Sequence, residues 1–230
     1  MILPGMNGLF LILALPGLLL GLWAQFKLRG TFGRYVQVPT ASGVNGVQTA
    51  ETLMRAAGLN IGVRGTSGVL TDFYDPRTKS INLAQSSEYD SIASVAVVAH
   101  EMGHAVQDAQ GYLPMRLRGA IVPAVSLGAW VGPLMFIGGL YLNSQSLAVV
   151  GLVLFSAVAI FSLVTLPVEF DASRRGLEML QSTHILQPQE VPAARKVLTA
   201  AALTYVAAAL QSIGTLFYYF LVLSGARRRA

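Results

Sequence analysis

Ala99-His100-Glu101-Met102-Gly103-His104-Ala105 is the stretch on which the reading of this chain turns. Two His four residues apart share one face of an α-helix, so both imidazoles reach a single metal ion. Glu101, next to His100, can accept the proton of a water activated by that ion. Only three His occur in the 230 residues, and two of them stand here. The plainer alternative is a pair of polar residues capping the wet end of a core helix. What surrounds the motif argues against it.

Asp90 or Ser91 can cap the motif helix at its N-terminus. Residues 92–99 are continuously apolar but far too short to cross a bilayer, which fits a buried core helix. Gln107, Asp108 and Gln110 mark the return to water, and Gly111 the end. Upstream, Thr31 to Gly46 reads as a loop. Asn45 caps a helix that runs to Ala57, and Gly58 stops it. Residues 60–64, 69–74 and 79–84 read as three strands of a small antiparallel sheet. Gly65 to Gly68 and Asp75 to Thr78 are the turns between them.

The remainder of the chain is a different material. Hydrophobic residues make up 53% of the sequence and charged ones 12%, against about a quarter charged in soluble domains. Mean hydropathy is +0.57. Four apolar runs of spanning length, 6–26, 119–142, 147–168 and 197–223, account for this. None contains Asp, Glu, Lys, Arg or His, which removes the ionisable groups a transporter would need in its spans. The absence of Cys excludes disulfides, thiolate ligands and a Cys nucleophile. The net charge of +5 does not indicate nucleic acid, because the basic residues crowd beside the apolar runs, where topology and anionic headgroups explain them. The expected fold is a mainly α membrane protein: four transmembrane helices and a small α+β, zincin-like catalytic portion. Residues 1–230 would be one membrane-embedded domain, with catalytic segments 27–118 and 169–196.

The first run could be a signal peptide, but Met1 to Gly8 carries no Lys or Arg, while Lys27, Arg29 and Arg34 follow the run. That pattern predicts an uncleaved anchor with its N-terminus outside. Arg116, Arg118, Arg174, Arg175, Arg195 and Lys196 fall on the same inner side, so the catalytic portion is expected in the cytoplasm. Arg227, Arg228 and Arg229 oppose this orientation, nine flanking charges against three.

A catalytic zinc takes three protein ligands and leaves one position for water. The second and third runs form a hairpin, which returns the chain to the side of the motif. Glu169 is the first ionisable residue after it, a better candidate for the third ligand than His184. The competing role for Glu169 is an interfacial ion pair with Arg174 or Arg175.

Three segments resemble the YugP-type neutral zinc metallopeptidases of bacterial membranes. They are Leu70-Thr71-Asp72-Phe73-Tyr74-Asp75-Pro76-Arg77-Thr78-Lys79, the motif segment extended through Val106-Gln107, and Leu166-Pro167-Val168-Glu169-Phe170-Asp171-Ala172-Ser173. The resemblance implies a zinc-dependent endopeptidase of a bacterial cell membrane acting on peptides or proteins, with His100 and His104 as ligands and Glu101 as general base. A more distant similarity is to the HtpX and CAAX-prenyl membrane proteases, whose third ligand is the Glu of a Glu-x-x-x-Asp motif. Glu169 matches that Glu, but Ser173 stands where the Asp would be, so Ser173, Asp171 or neither orients a ligand His. Asn82 is a candidate for binding substrate by strand addition, and Tyr205 or His184 for stabilising an oxyanion. The alternative of another class is a membrane scaffold that keeps a structural metal, to which Glu101 would be superfluous.

Overall fold

A computed structural model describes residues 4–227. Arg228 and Arg229, two of the charges opposing the expected orientation, lie outside the described residues, as does the start of the uncharged leader at Met1. The elements in chain order are α1 (Pro4–Tyr35), α2 (Gly46–Ala57), β1 (Gly62–Thr66), β2 (Phe73–Asp75), β3 (Ser80–Ala84), a 3-10 turn (Gln85–Glu88), α3 (Ile92–Ala109), α4 (Leu113–Tyr141), α5 (Gln145–Ser182) and α6 (Val191–Arg227). The protein is mainly helical, and α1, α4, α5 and α6 are long and apolar enough to cross a membrane. Each runs beyond its apolar stretch. No Pro interrupts residues 27–35, and α1 continues through Gly30 and Gly33 to Tyr35 where a loop was expected from Thr31.

The chain divides into two compact units. One comprises Met1–Ala24, Arg116–Leu166 and Leu203–Ala230. In it, glycines let helix backbones approach closely, as in membrane bundles. A Cβ on Gly128 of α4 would stand 2.2 Å from the Leu154 carbonyl of α5, and one on Gly214 of α6 2.1 Å from the Leu13 carbonyl of α1. Phe136 stacks on Tyr219 with ring centroids 3.9 Å apart. Ile12, Trp130, Leu134 and Ile137 are exposed, as side chains turned to lipid would be.

The other unit, Gln25–Met115 and Pro167–Ala202, has a core that includes Leu53, Ile81, Val95, Val98, Met102, Leu180 and Leu198. Asn45 and Gln48 cap α2 reciprocally, each side chain bonded to the other's backbone N–H, and Gly58 ends it at φ 64°. Ser91, rather than Asp90, caps α3 through the Ser94 N–H. The sheet differs from expectation. Its order is β1-β3-β2, with β1 parallel to β3 and only β2 antiparallel. The expected turn at Asp75 to Thr78 does form: Asp75 accepts from the Arg77 N–H and the Thr78 hydroxyl. Gly65 to Gly68 makes no hairpin. The chain instead crosses from β1 to the far side of β3, pinned by Asp72, whose Oδ1 accepts from the Ala84 N–H and the Ser87 hydroxyl.

Candidate metal centre

α3 passes so close to α5 that Gly103 and Gly176 leave no room for a side chain. An added Cβ would lie 2.3 Å from the Ala172 carbonyl at Gly103 and 2.7 Å from the Ala99 carbonyl at Gly176. This contact sets the register in which the α3 His residues meet α5. His100 Nε2 lies 3.2 Å and His104 Nε2 3.6 Å from Glu169 Oε2. One ligand atom from each of the three falls within 4.8 Å of the others. Four ligands at about 2.0–2.1 Å around a tetrahedral zinc are separated by roughly 3.3 Å, so both measured separations suit one ion. Glu169 is only 2% exposed, and a carboxylate so far from water needs cationic or metal compensation.

The other nitrogen of each imidazole is already engaged. His100 Nδ1 lies 3.0 Å from Ser173 Oγ. His104 Nδ1 lies 3.0 Å from Gln107 Oε1, while Gln107 Nε2 donates to the Val168 carbonyl and to Asp171 Oδ2, both at 2.9 Å. Those two acceptors fix the orientation of the Gln107 amide. Its oxygen therefore faces His104, and Nδ1 must be the protonated nitrogen. That leaves the Nε2 lone pair of His104 directed at the metal position. Ser173 Oγ holds the His100 ring in its orientation without dictating its tautomer, since a hydroxyl can donate or accept.

Gln107 is fully buried, contrary to the expectation that it marks the return to water. The signal was its spacing: three residues after His104, it shares the ligand face. Asp171 was one of the candidates for orienting a ligand His. It reaches the site indirectly, through Gln107, while Arg174 and Arg175 pair with Asp171. In Ser173→Ala and Gln107→Leu the metal affinity should fall about 10–100-fold with the helices intact. Competition against a chromophoric chelator checks this, and unchanged affinity in both variants would remove the orienting role.

Glu101 Oε2 accepts the Tyr74 backbone N–H at 2.9 Å. Withdrawal from water pushes the Glu101 carboxyl above the ordinary carboxylate range, against the pull of His100 and His104. For His104, burial works against the charged form, but Glu169 and Glu101 outweigh it and the pKa rises. Tyr74, not singled out from sequence, also donates its hydroxyl to Asp108 at 2.7 Å. Asn82 cannot accept a substrate strand, because β3 is paired on both sides. His184 follows α5 in a left-handed turn, φ 56°, and lines a separate cavity. Tyr205 belongs to α6.

Two imidazoles and a carboxylate on packed helices, with a second carboxylate beside them, define the class of helical zinc peptidases. Residues 10–224 match the family described as "Putative neutral zinc metallopeptidase", and the chain belongs to that family. It is 40% identical over 221 residues to the "Putative membrane protease YugP" of Bacillus subtilis, covering 95% of this chain and 98% of that protein. No solved structure matches.

Proposed function

We propose that this multi-pass membrane protein is an endopeptidase in which His100, His104 and Glu169 hold zinc and Glu101 is the general base. The observation that supports this best is the pairing of the three-donor cluster with a separate, second carboxylate held by a strand backbone. A purely structural site would need no such group. Zinc, when bound, supplies Lewis acidity towards a carbonyl and lowers the pKa of water. Glu101 takes the proton of the attacking water and later delivers it to the leaving amine. The Tyr74 N–H occupies one of its oxygens and leaves Oε1 for that transfer. Gln107 keeps His104 in the ligating tautomer, and Ser173 orients the His100 ring. β1 and β2 are both edges of the sheet; β2 is the one joined to Glu101 and so the edge on which an extended peptide would pair beside the site. The catalytic segments 27–118 and 169–196 work as parts of one functional domain.

Metal analysis of the purified protein, joined to hydrolysis of an unfolded protein substrate, tests the reading. About one zinc per chain is expected, with activity lost to a chelator and restored by zinc. Metal-free protein that still cleaved would overturn it. The basic flanks favour a cytoplasmic catalytic portion, so a reporter inserted at Ser87 should be found inside. A reporter outside would reverse the orientation.

A further inference from the structure

A second cavity, of about 1110 Å³, shares no residue with the metal centre. Its walls are one face each of α1 and the start of α6, together with the end of α5 and the turn that follows it. Lys27, Thr31 and Arg34 recur along α1, and Arg195, Lys196 and Thr199 along the start of α6. Four cations thus line it, and no Asp or Glu does. Arg34, Arg195 and Lys196 are exposed and have no carboxylate partner among the described residues. Glu190, close by in sequence, is committed elsewhere: Oε1 accepts the Ala41 N–H at 2.8 Å and Oε2 the Gln187 N–H at 2.7 Å. Arg34, Arg195 and Lys196, gathered without a carboxylate among the described residues, repel one another. Arg34 also lies over the Tyr35 ring, 5.6 Å from its centroid, a contact that leaves its charge without a carboxylate.

Two further observations identify what would offset that repulsion. Along α1 the cations begin directly after the apolar run ending at Phe26, and along α6 they directly precede the run starting at Val197. Both sets therefore stand at the level where apolar helix gives way to water, the level of lipid headgroups. The remaining walls include Leu186, Val191 and Pro192, which suit a ligand with an apolar body beside its charge. The volume far exceeds that of a lone phosphate ion and lies just above the usual range for small-molecule sites.

We propose that this cavity binds the headgroup of an anionic phospholipid, its phosphate held between Arg34 of α1 and Arg195 and Lys196 of α6. Occupancy joins two helices through charge-assisted hydrogen bonds and is independent of the peptidase reading.

The test uses the full-length protein in neutral detergent. It is titrated separately with dioctanoyl phosphatidylglycerol, dioctanoyl phosphatidylcholine and inorganic phosphate, with binding read by native mass spectrometry. Phosphatidylglycerol should bind at least ~10-fold more tightly than phosphatidylcholine. Arg34→Gln, and separately the double variant Arg195→Gln/Lys196→Gln, should each abolish that preference. Arg55→Gln, which removes an exposed charge from α2, should keep it. The substituted side chains are exposed and lie on different helices, so the outcome does not hang on the folding of one variant. Equal affinity for the two lipids, or a preference that survives in both cavity variants, overturns the proposal. So does inorganic phosphate binding as tightly as phosphatidylglycerol, which would mark a site for a free anion.

Discussion

Glu101→Gln should leave zinc bound and the fold intact while peptide hydrolysis falls by about 10²–10⁴-fold, the range for losing a general acid–base group. The amide keeps the size of the carboxyl and can still accept the Tyr74 N–H, so the edge strand stays anchored to α3. It cannot take up a proton at neutral pH. Glu101 is not one of the three clustered donors, which is why metal content should be unaffected. Zinc analysis and initial rates on the same preparation separate the two effects. Wild-type hydrolysis by the Gln variant would remove Glu101 from the mechanism and favour a scaffold with a structural metal.

The second large effect belongs to Glu169→Ala. With the carboxylate gone, His100 and His104 alone face the ion, two ligands where a stable catalytic zinc has three. The loss of affinity should exceed the ~10–100-fold expected when an orienting partner is removed. Asp171→Ala belongs with those orienting partners, because Asp171 touches Gln107 and not a ligand. His184→Ala should leave zinc unchanged, since His184 lines the other cavity. Isothermal titration of apo-protein with zinc ranks the series. A Glu169→Ala protein that bound one zinc per chain at wild-type affinity would sink the ligand set.

Much of this protein is determined by interactions that span only a few residues, and those are open to reading from the sequence alone. The His100–His104 spacing puts two imidazoles on one helical face whatever the helix packs against. The Asn45 cap, the Gly58 stop and the Asp75 turn depend on side chains bonding to nearby backbone. Apolar length by itself marks the four spans. Other features depend on which surfaces meet. β1 pairs with β3 in parallel because the segment between β1 and β2 crosses over and is held by Asp72. A Gly-rich stretch resembles a hairpin turn until the partner strand is known. Gln107 looked like a surface residue because its amide is polar. It is buried because α5 offers a carbonyl and a carboxylate to that amide. The hairpin between α4 and α5 indicated Glu169. Only the close approach of Gly103 to Ala172 and of Gly176 to Ala99 decides the helix register that sets Glu169 Oε2 3.2 Å from one imidazole and 3.6 Å from the other. Residues 65 or more positions apart in the chain are aligned to within an ångström only by packing, because interiors are close-packed and a register shift of one residue would move the carboxylate to another face of its helix.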